Sequence, residues 1–142
     1  MVTCRFANRD DCTLLGELNH QLIRDEGHRN QMNPEQLRDR MGKWLERDYR
    51  AVMFEEDGCV VGYALFREEQ NEIYLRQLFI CRDQRRRGLG RRAIEILKND
   101  IWLKEKRLTV EVLVSNEGAV RFWRAVGYKD YALTLEIMPQ WR

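Results

Sequence analysis

The spacing of apolar residues changes between Trp44 and Tyr49, and that change limits the folds open to this chain. Before it, apolar residues recur every three or four positions: Leu14, Leu18 and Leu22, then Leu37, Met41, Trp44 and Leu45. Such spacing lines one face of a helix. After it, "YRAVMFEEDGCVVGYALFREEQNEIYLRQLFI" reads as three successive strands joined by the turns "EEDG" and "REEQNE". Strands must pair into a sheet, and helices with a single apolar stripe must cover one, so the fold combines both in layers.

The flanking segments fill in the order. "VTCRFA" alternates Val2, Cys4 and Phe6 as a short first strand. The first helix follows Asp10 and Asp11 and ends near Arg24, and "RDEGHRNQM" is a polar loop containing Gly27. Asn33 is placed to cap the second helix, with Pro34 at its first position and Gln36 completing a capping box. Residues 88 to 103 read as a third helix, with Leu89, Ala93, Leu97 and Ile101 on one face. "RLTVEVLV" alternates as a strand, Asn116 opens a helix closed by Gly127, and "YKDYALTLEIM" reads as a last strand. The expected order is β-α-α-β-β-β-α-β-α-β, a mixed α/β sheet with no internal repeat and no linker. Residues 1–142 read as one domain.

Several classes of function fit poorly. No apolar run approaches the roughly 18–20 residues of a membrane span, and "MVTCRFANRDD" lacks a signal-peptide core, which points to a cytoplasmic protein. Cys4, Cys12, Cys59 and Cys81 are scattered and only two histidines are present, so neither a disulfide framework nor a metal site is expected. The formal net charge is +2, yet Arg82 to Arg92 alone carries six arginines against one aspartate, or +5, leaving −3 for the rest. A nucleic-acid-binding domain usually spreads its positive charge and has a pI above about 9, whereas this chain has a pI near 8.4.

The concentrated charge lies where a phosphate could be held. Strand "EIYLRQLFI" runs through "CRDQRRR" into a helix beginning near Gly88. A helix N-terminus directs backbone N–H groups and partial positive charge at one point. Gly88 and Gly90 would let a phosphate approach the main chain, and the arginines would neutralise a polyanion. The segment lacks the Gly-Lys-Ser/Thr ending of a P-loop and is not a dinucleotide GxGxxG.

Arg85-x-x-Gly88-x-Gly90, directly after an apolar strand, resembles the acyl-CoA pyrophosphate motif of the GNAT (GCN-related) N-acetyltransferase family. Downstream, "VEVLVSNEGAVRFWRAVGY" is similar to the closing pattern of that family: Glu111 on a strand, then Asn116, Ala119, an aromatic at 123 and Gly127-Tyr128. The motif-bearing region covers residues 73 to 128. The resemblance implies a GNAT-like mixed, largely antiparallel central sheet, about four helices, and two central strands, 72–80 and 107–114, that splay apart around acetyl-CoA. The pyrophosphate is then expected on the main chain of Arg86, Arg87, Gly88, Leu89, Gly90 and Arg91, beside Arg85. The pantetheine arm is expected to pair with Leu78, Phe79 and Ile80. Asn116 has two compatible roles, cofactor contact and N-cap.

The implied chemistry is transfer of an acetyl group from a thioester to a primary amine. Glu111 matches the base position; the other reading of it is a carboxylate paired with an arginine on a wet sheet face. The family usually places a tyrosine near the leaving sulfur, where this chain has Trp123. Indole N–H donates a hydrogen bond but does not release its proton. Tyr128, Tyr131 or Tyr74 takes the acid role, or none does, since a thiol of pKa about 8.5 leaves readily as thiolate. Asp25, Glu26 and His28, in the loop bordering the acceptor side, are candidates for drawing in a cationic amine. The acceptor class, small molecule or peptide, stays open. A regulatory acyl-CoA-binding module without transferase activity is the alternative, nucleic acid and membrane are not expected partners, and a homodimer through "YALTLEIM" or "PQWR" is possible within this resemblance.

Overall fold

The computed structural model describes residues 1–103 and 105–142. A first strand β1 (Thr3–Phe6) leads into helices α1 (Cys12–Glu26) and α2 (Pro34–Glu46). The meander β2 (Tyr49–Glu56), β3 (Cys59–Glu68) and β4 (Glu72–Ile80) follows, then α3 (Leu89–Ile96), β5 (Arg107–Val110) and α4 (Glu117–Ala125). Local chemistry sets the boundaries. Asn33 Oδ1 accepts from the Gln36 N–H at 2.8 Å, and Gln36 Oε1 accepts from the Asn33 N–H at 2.9 Å, the expected capping box. Gly27, at φ +70°, ends α1 in the left-handed region.

The sheet order is β1-β2-β3-β4-β5, antiparallel throughout except for the parallel β4–β5 pair. Each face has its own core. On one side Leu15, Leu18 and Leu22 of α1 and Met41 of α2 pack on Tyr49, Met53, Tyr63 and Phe79. On the other, Leu89, Ala93 and Ile96 of α3 and Trp123 of α4 cover Phe54, Phe66, Ile73 and Leu75.

β4 carries the irregularity on which the site depends. Leu65 pairs with Gln77 but the next residue, Phe66, pairs with Leu75, so Arg76 is an extra residue with no partner on β3. A bulge of this kind bends the strand and exchanges its faces. Ile73 and Leu75 face the α3–α4 core before it, and Leu78 and Ile80 do so after it. At the same point β4 parts from β5: their ladder runs from Glu72–Arg107 to Leu75–Val110, whereas β4 continues to Ile80. The strand expected over 107–114 is therefore paired only over 107–110, because the bulge turns its neighbour away.

Two further segments differ from expectation. The third helix changes to a π-helical turn over Leu97–Ile101 rather than running regularly to 103. The wider turn brings both Leu97 and Trp102 into the core, with Trp102 edge-on to Phe66 at 5.5 Å. The last strand is also not formed: residues 128–138 lie outside every ladder. The period-two pattern is there, but nothing pairs with it. An Arg29–Glu136 ion pair at 2.9 Å and the Arg107 guanidinium 4.8 Å from the Tyr131 ring hold the segment instead. No described helix is long and apolar enough to cross a membrane.

The β3–β4 pairing that supports the bulge requires a glycine. A Cβ at Gly62, which pairs with Ile80, would lie 2.3 Å from the Phe79 carbonyl oxygen. Gly62→Ala is expected to cost about 2 kcal/mol or more of stability, read from the urea midpoint. A midpoint equal to that of the unaltered chain would mean that this close approach does not constrain the sheet.

Candidate functional site

The segment after β4 folds as the sequence suggests, by unusual backbone angles rather than by side-chain caps. Arg82–Gln84 forms a single 3-10 turn, and Arg86 (φ +66°) and Gly88 (φ +74°) both adopt left-handed conformations. Only the second suits glycine; the first places a β-carbon where it is disfavoured. α3 then begins at Leu89 with no side chain capping its N-terminus. The first intrahelical bond runs from the Arg92 N–H to the Gly88 oxygen at 3.0 Å, so earlier N–H groups of the first turn need another acceptor. A Cβ on Gly88 would meet nothing within 4 Å, so the space beside the loop is open. Uncapped donors, a helix N-terminus and open space together fit a phosphate-bearing ligand.

Gly90 departs from the expectation that both glycines admit a phosphate. A Cβ there would stand 3.1 Å from the Phe122 ring, so the missing side chain lets α4 pack against α3. The arginines are also less free than their number suggests. Arg85 turns back, donating from Nε to the Ile80 oxygen at 2.8 Å and from Nη2 to Asp25 Oδ2 at 2.7 Å. Arg82 also bonds Asp25. Arg87 pairs with Glu56 at 2.9 Å, and Arg91 reaches the Ala125 oxygen at 3.4 Å. For Arg86 no side-chain partner is seen among the described residues.

The cleft lies between the free edge of β4, carrying Leu78, Phe79 and Ile80, and residues 111–114 beyond the last paired residue of β5. On β3's side those three pair with Ala64, Tyr63 and Gly62, so their other edge is open to an extended ligand. Glu111 is the first residue past the ladder, is exposed, and accepts a 2.6 Å hydrogen bond from the Tyr74 hydroxyl. The alternative arginine partner is not what it contacts. Burial, and next the bond to Glu111, push the Tyr74 phenol well above its ordinary pKa.

Asn116 caps α4, its Oδ1 accepting from the Ala119 N–H at 3.3 Å. Trp123 is buried among α3-side core residues, edge-on to Phe122 at 5.0 Å and to Tyr128 at 5.4 Å. The Tyr128 hydroxyl is buried with no hydrogen-bond partner, and burial raises its pKa to about 12. It stays protonated at neutral pH as an unused donor. Tyr131, by contrast, is 86% exposed.

Of the three residues expected in the loop after α1, Asp25 and Glu26 lie in the last turn of the helix, which runs past Arg24 to Glu26, and only His28 follows it. Both Asp25 oxygens are taken by Arg82 and Arg85, which hold its carboxyl below the ordinary range. It is thus a tether for the arginine loop, and its charge is not free to recruit an amine. Glu26 Oε1 lies 3.1 Å from His28 Nε2, and burial pushes the Glu26 carboxyl up, partly offset by His28. Sequence reasoning missed the polar residues on the α1–α2 face of the bulge: Asn19, Arg40, Tyr63, Arg76 and Gln77. Tyr63, fully buried, donates to Gln77 Oε1 at 2.7 Å. The spacing of strand residues gave no sign of them, because Arg76 and Gln77 adjoin in sequence and share a face only through the bulge.

A model of the acetyltransferase (GNAT) family matches residues 16–128. No curated protein matches the sequence. Among solved structures, a possible acetyltransferase from Clostridium difficile 630 superposes with a TM-score of 0.81 at 17% identity, covering 97% of each chain. A ribosomal-protein-alanine N-acetyltransferase from Brucella melitensis biovar Abortus 2308 gives 0.77 at 14% identity, over 97% of this chain and 99% of that one. The aminoglycoside N-acetyltransferase AAC(6')-Iy in complex with CoA gives 0.76 at 14% identity, over 99% and 95%.

The orphaned Tyr128 hydroxyl makes a stability prediction distinct from any catalytic one. Removing a buried donor that has no partner relieves its desolvation cost, so Tyr128→Phe is expected to stabilise the protein by about 1 kcal/mol in denaturant unfolding. A comparable loss would show that the hydroxyl has a partner in the folded chain.

Proposed function

The chain belongs to the GNAT acetyltransferase family, and from that premise we propose that residues 1–142 form one cytoplasmic acyltransferase domain that moves an acetyl group from acetyl-CoA directly to a primary amine. The observation that carries this reading is the uncapped N-terminus of α3 beside the open, left-handed Gly88, adjoining the free edge of β4. The pyrophosphate would rest on the main chain of residues 86–91, and the pantetheine would extend along Leu78, Phe79 and Ile80 as an added strand. Acetyl-CoA supplies the thioester carbonyl that an amine can attack.

The protein's own residues would do the rest. Glu111 accepts a proton from the incoming ammonium, directly or through water, so that nitrogen presents a lone pair. The Tyr74 hydroxyl holds that carboxylate at the mouth of the cleft. A main-chain N–H on the free edge of β4 stabilises the negative oxygen that develops at the reacting carbonyl. Tyr128 donates to the departing sulfur; its phenol, held near pKa 12, is a donor at every pH at which the protein works. Trp123 packs beside it and carries no proton in this scheme.

Calorimetric titration with acetyl-CoA at physiological salt tests the donor half. Micromolar affinity is expected, and Gly88→Glu should abolish it by setting a carboxylate where phosphate belongs. A folded chain without affinity for acetyl-CoA would return the arginine loop to nucleic-acid binding, seen as steep salt dependence. In thiol-release assays Glu111→Gln is expected to lower kcat about 10²-fold, and Tyr128→Phe on the order of tenfold. Acetyl-CoA binding without thiol release over a broad amine panel would favour the regulatory module.

The same reading takes the chain as a homodimer. Tyr131, Leu133, Leu135 and Ile137 alternate along the unpaired C-terminal segment at 86%, 75%, 87% and 77% exposure, and the outer edge of β5 ends the sheet. Laying this segment on the β5 edge of a second copy would pair both and, by two-fold symmetry, repeat itself. Covering those side chains would bury roughly 500 Å² per copy, which brings a symmetric pair to the lower limit for a specific interface. Light scattering should give twice the 17.2 kDa chain mass, and Leu135→Lys should return a monomer. A monomeric parent chain at micromolar concentration would exclude this arrangement.

A further inference from the structure

On the α1–α2 face of the bulge, two guanidinium groups lie against one indole ring, with no carboxylate within ion-pair distance of either among the described residues. Arg40 of α2 and Arg76, the bulge residue, lie 4.3 Å and 4.6 Å from the Trp44 ring centroid. Arg40 is half-buried; its Nη2 donates to Asn19 Oδ1 at 3.2 Å, but its Nε is buried without an acceptor. Asn19, fully buried, has an unpartnered Nδ2 as well. Among the described residues Arg76 donates only to the Tyr49 hydroxyl, at 3.3 Å.

Eleven of the chain's twenty arginines have a carboxylate within ion-pair distance among the described residues. Arg5 has Asp11, Arg82 and Arg85 share Asp25, Arg87 has Glu56, and Arg107 has Glu72. Arg67, whose Nη1 donates to the same Tyr49 hydroxyl from the other strand, has Glu69 at 2.8 Å. For Arg40 and Arg76 no carboxylate lies within ion-pair distance among the described residues. Burial, and then the charge of Arg76, lower the Arg40 pKa, as expected for a cation deprived of both water and counter-ion. Two like charges, one half-dry, plus two orphaned N–H donors form an arrangement that an incoming oxyanion would stabilise.

This cluster is on the catalytic side of the sheet. Tyr74, which holds Glu111, precedes Arg76 by two residues, and the Arg67 guanidinium lies 5.4 Å from the rings of both Tyr49 and Tyr74. Glu26, whose charge like that of Arg40 acts on Tyr63, is bonded to His28, and Glu111 accepts from Tyr74.

We propose that the acceptor is an amine that also bears an oxyanion, a carboxylate or a phosphate, received by Arg76 and Arg40 while its nitrogen reaches Glu111. This rests on the transferase reading above and narrows its acceptor; to attraction of a cationic amine by Asp25, Glu26 and His28 it opposes recognition of an anion on the same molecule. Arg76 contacts the ligand from the exposed side, Arg40 from within, and Asn19 positions Arg40.

The test uses matched pairs of amines with the full chain and acetyl-CoA: glycylglycine and its C-terminal amide, phosphoethanolamine and ethanolamine, with spermidine as a polycation. Thiol release is expected with a charged member and not with its neutral partner, and which pair responds distinguishes carboxylate from phosphate. Arg76→Gln should raise KM for the active member by about tenfold or more, with acetyl-CoA affinity kept and Arg76→Lys recovering part of the loss. Equal turnover of neutral partners, or preference for spermidine, overturns the proposal and leaves the transferase reading standing. If no member is turned over, calorimetry on the CoA-bound protein decides. Binding of a charged member that Arg76→Gln removes sustains the anion site while the transferase reading fails; absence of binding overturns the site as well.

Discussion

The free edge of β4 follows from a parallel ladder that stops after four residue pairs. β4 and β5 are joined from Glu72–Arg107 to Leu75–Val110 and then part at the bulge. Hydrogen bonds that would have continued the sheet are left as two facing edges of unpaired main chain. Such edges in the middle of a sheet invite a ligand that can imitate a strand. The loop that follows β4 then turns its N–H groups toward the end of the opening, so one irregularity creates a groove and places a charged terminus beside it.

The bulge has a second effect, on which side chains meet. Without Arg76 as an extra residue, β4 would keep its alternation, and Leu78 and Ile80 would leave the α3–α4 core. With it, two successive polar residues face α1 and α2, next to Tyr63, Trp44 and Tyr49. The two faces of the opened sheet thus differ in character. The α3–α4 side is apolar and ends in the buried pair Trp123 and Tyr128, while the α1–α2 side is rich in tyrosine and arginine.

The fold was legible where local patterns decide it. The capping box at Asn33, the positive-φ Gly127 after α4, the three-strand meander and the glycine turn before α3 all rest on neighbours within a few residues. Glu111 and Tyr128 could be singled out by position in a motif, but their partners could not. That Tyr74 bonds Glu111, or that the Tyr128 hydroxyl is orphaned, depends on contacts far apart in the chain. Gly90 shows the limit within the motif itself: its spacing suggests phosphate, while its surroundings are the Phe122 ring. The last strand shows the opposite limit, since a period of two specifies an extended segment but names no neighbour.

One contact joins α1 to the loop after β4. Asp25, in the last turn of α1, is shared by Arg82 and Arg85 of that loop, so the helix end is fastened to the loop by a single carboxylate. Those guanidiniums cannot serve two anions with full strength. A polyanion settling on the loop therefore competes with Asp25 and loosens the end of α1, and linkage requires the reverse: whatever steadies α1 alters the grip of the loop on its anion.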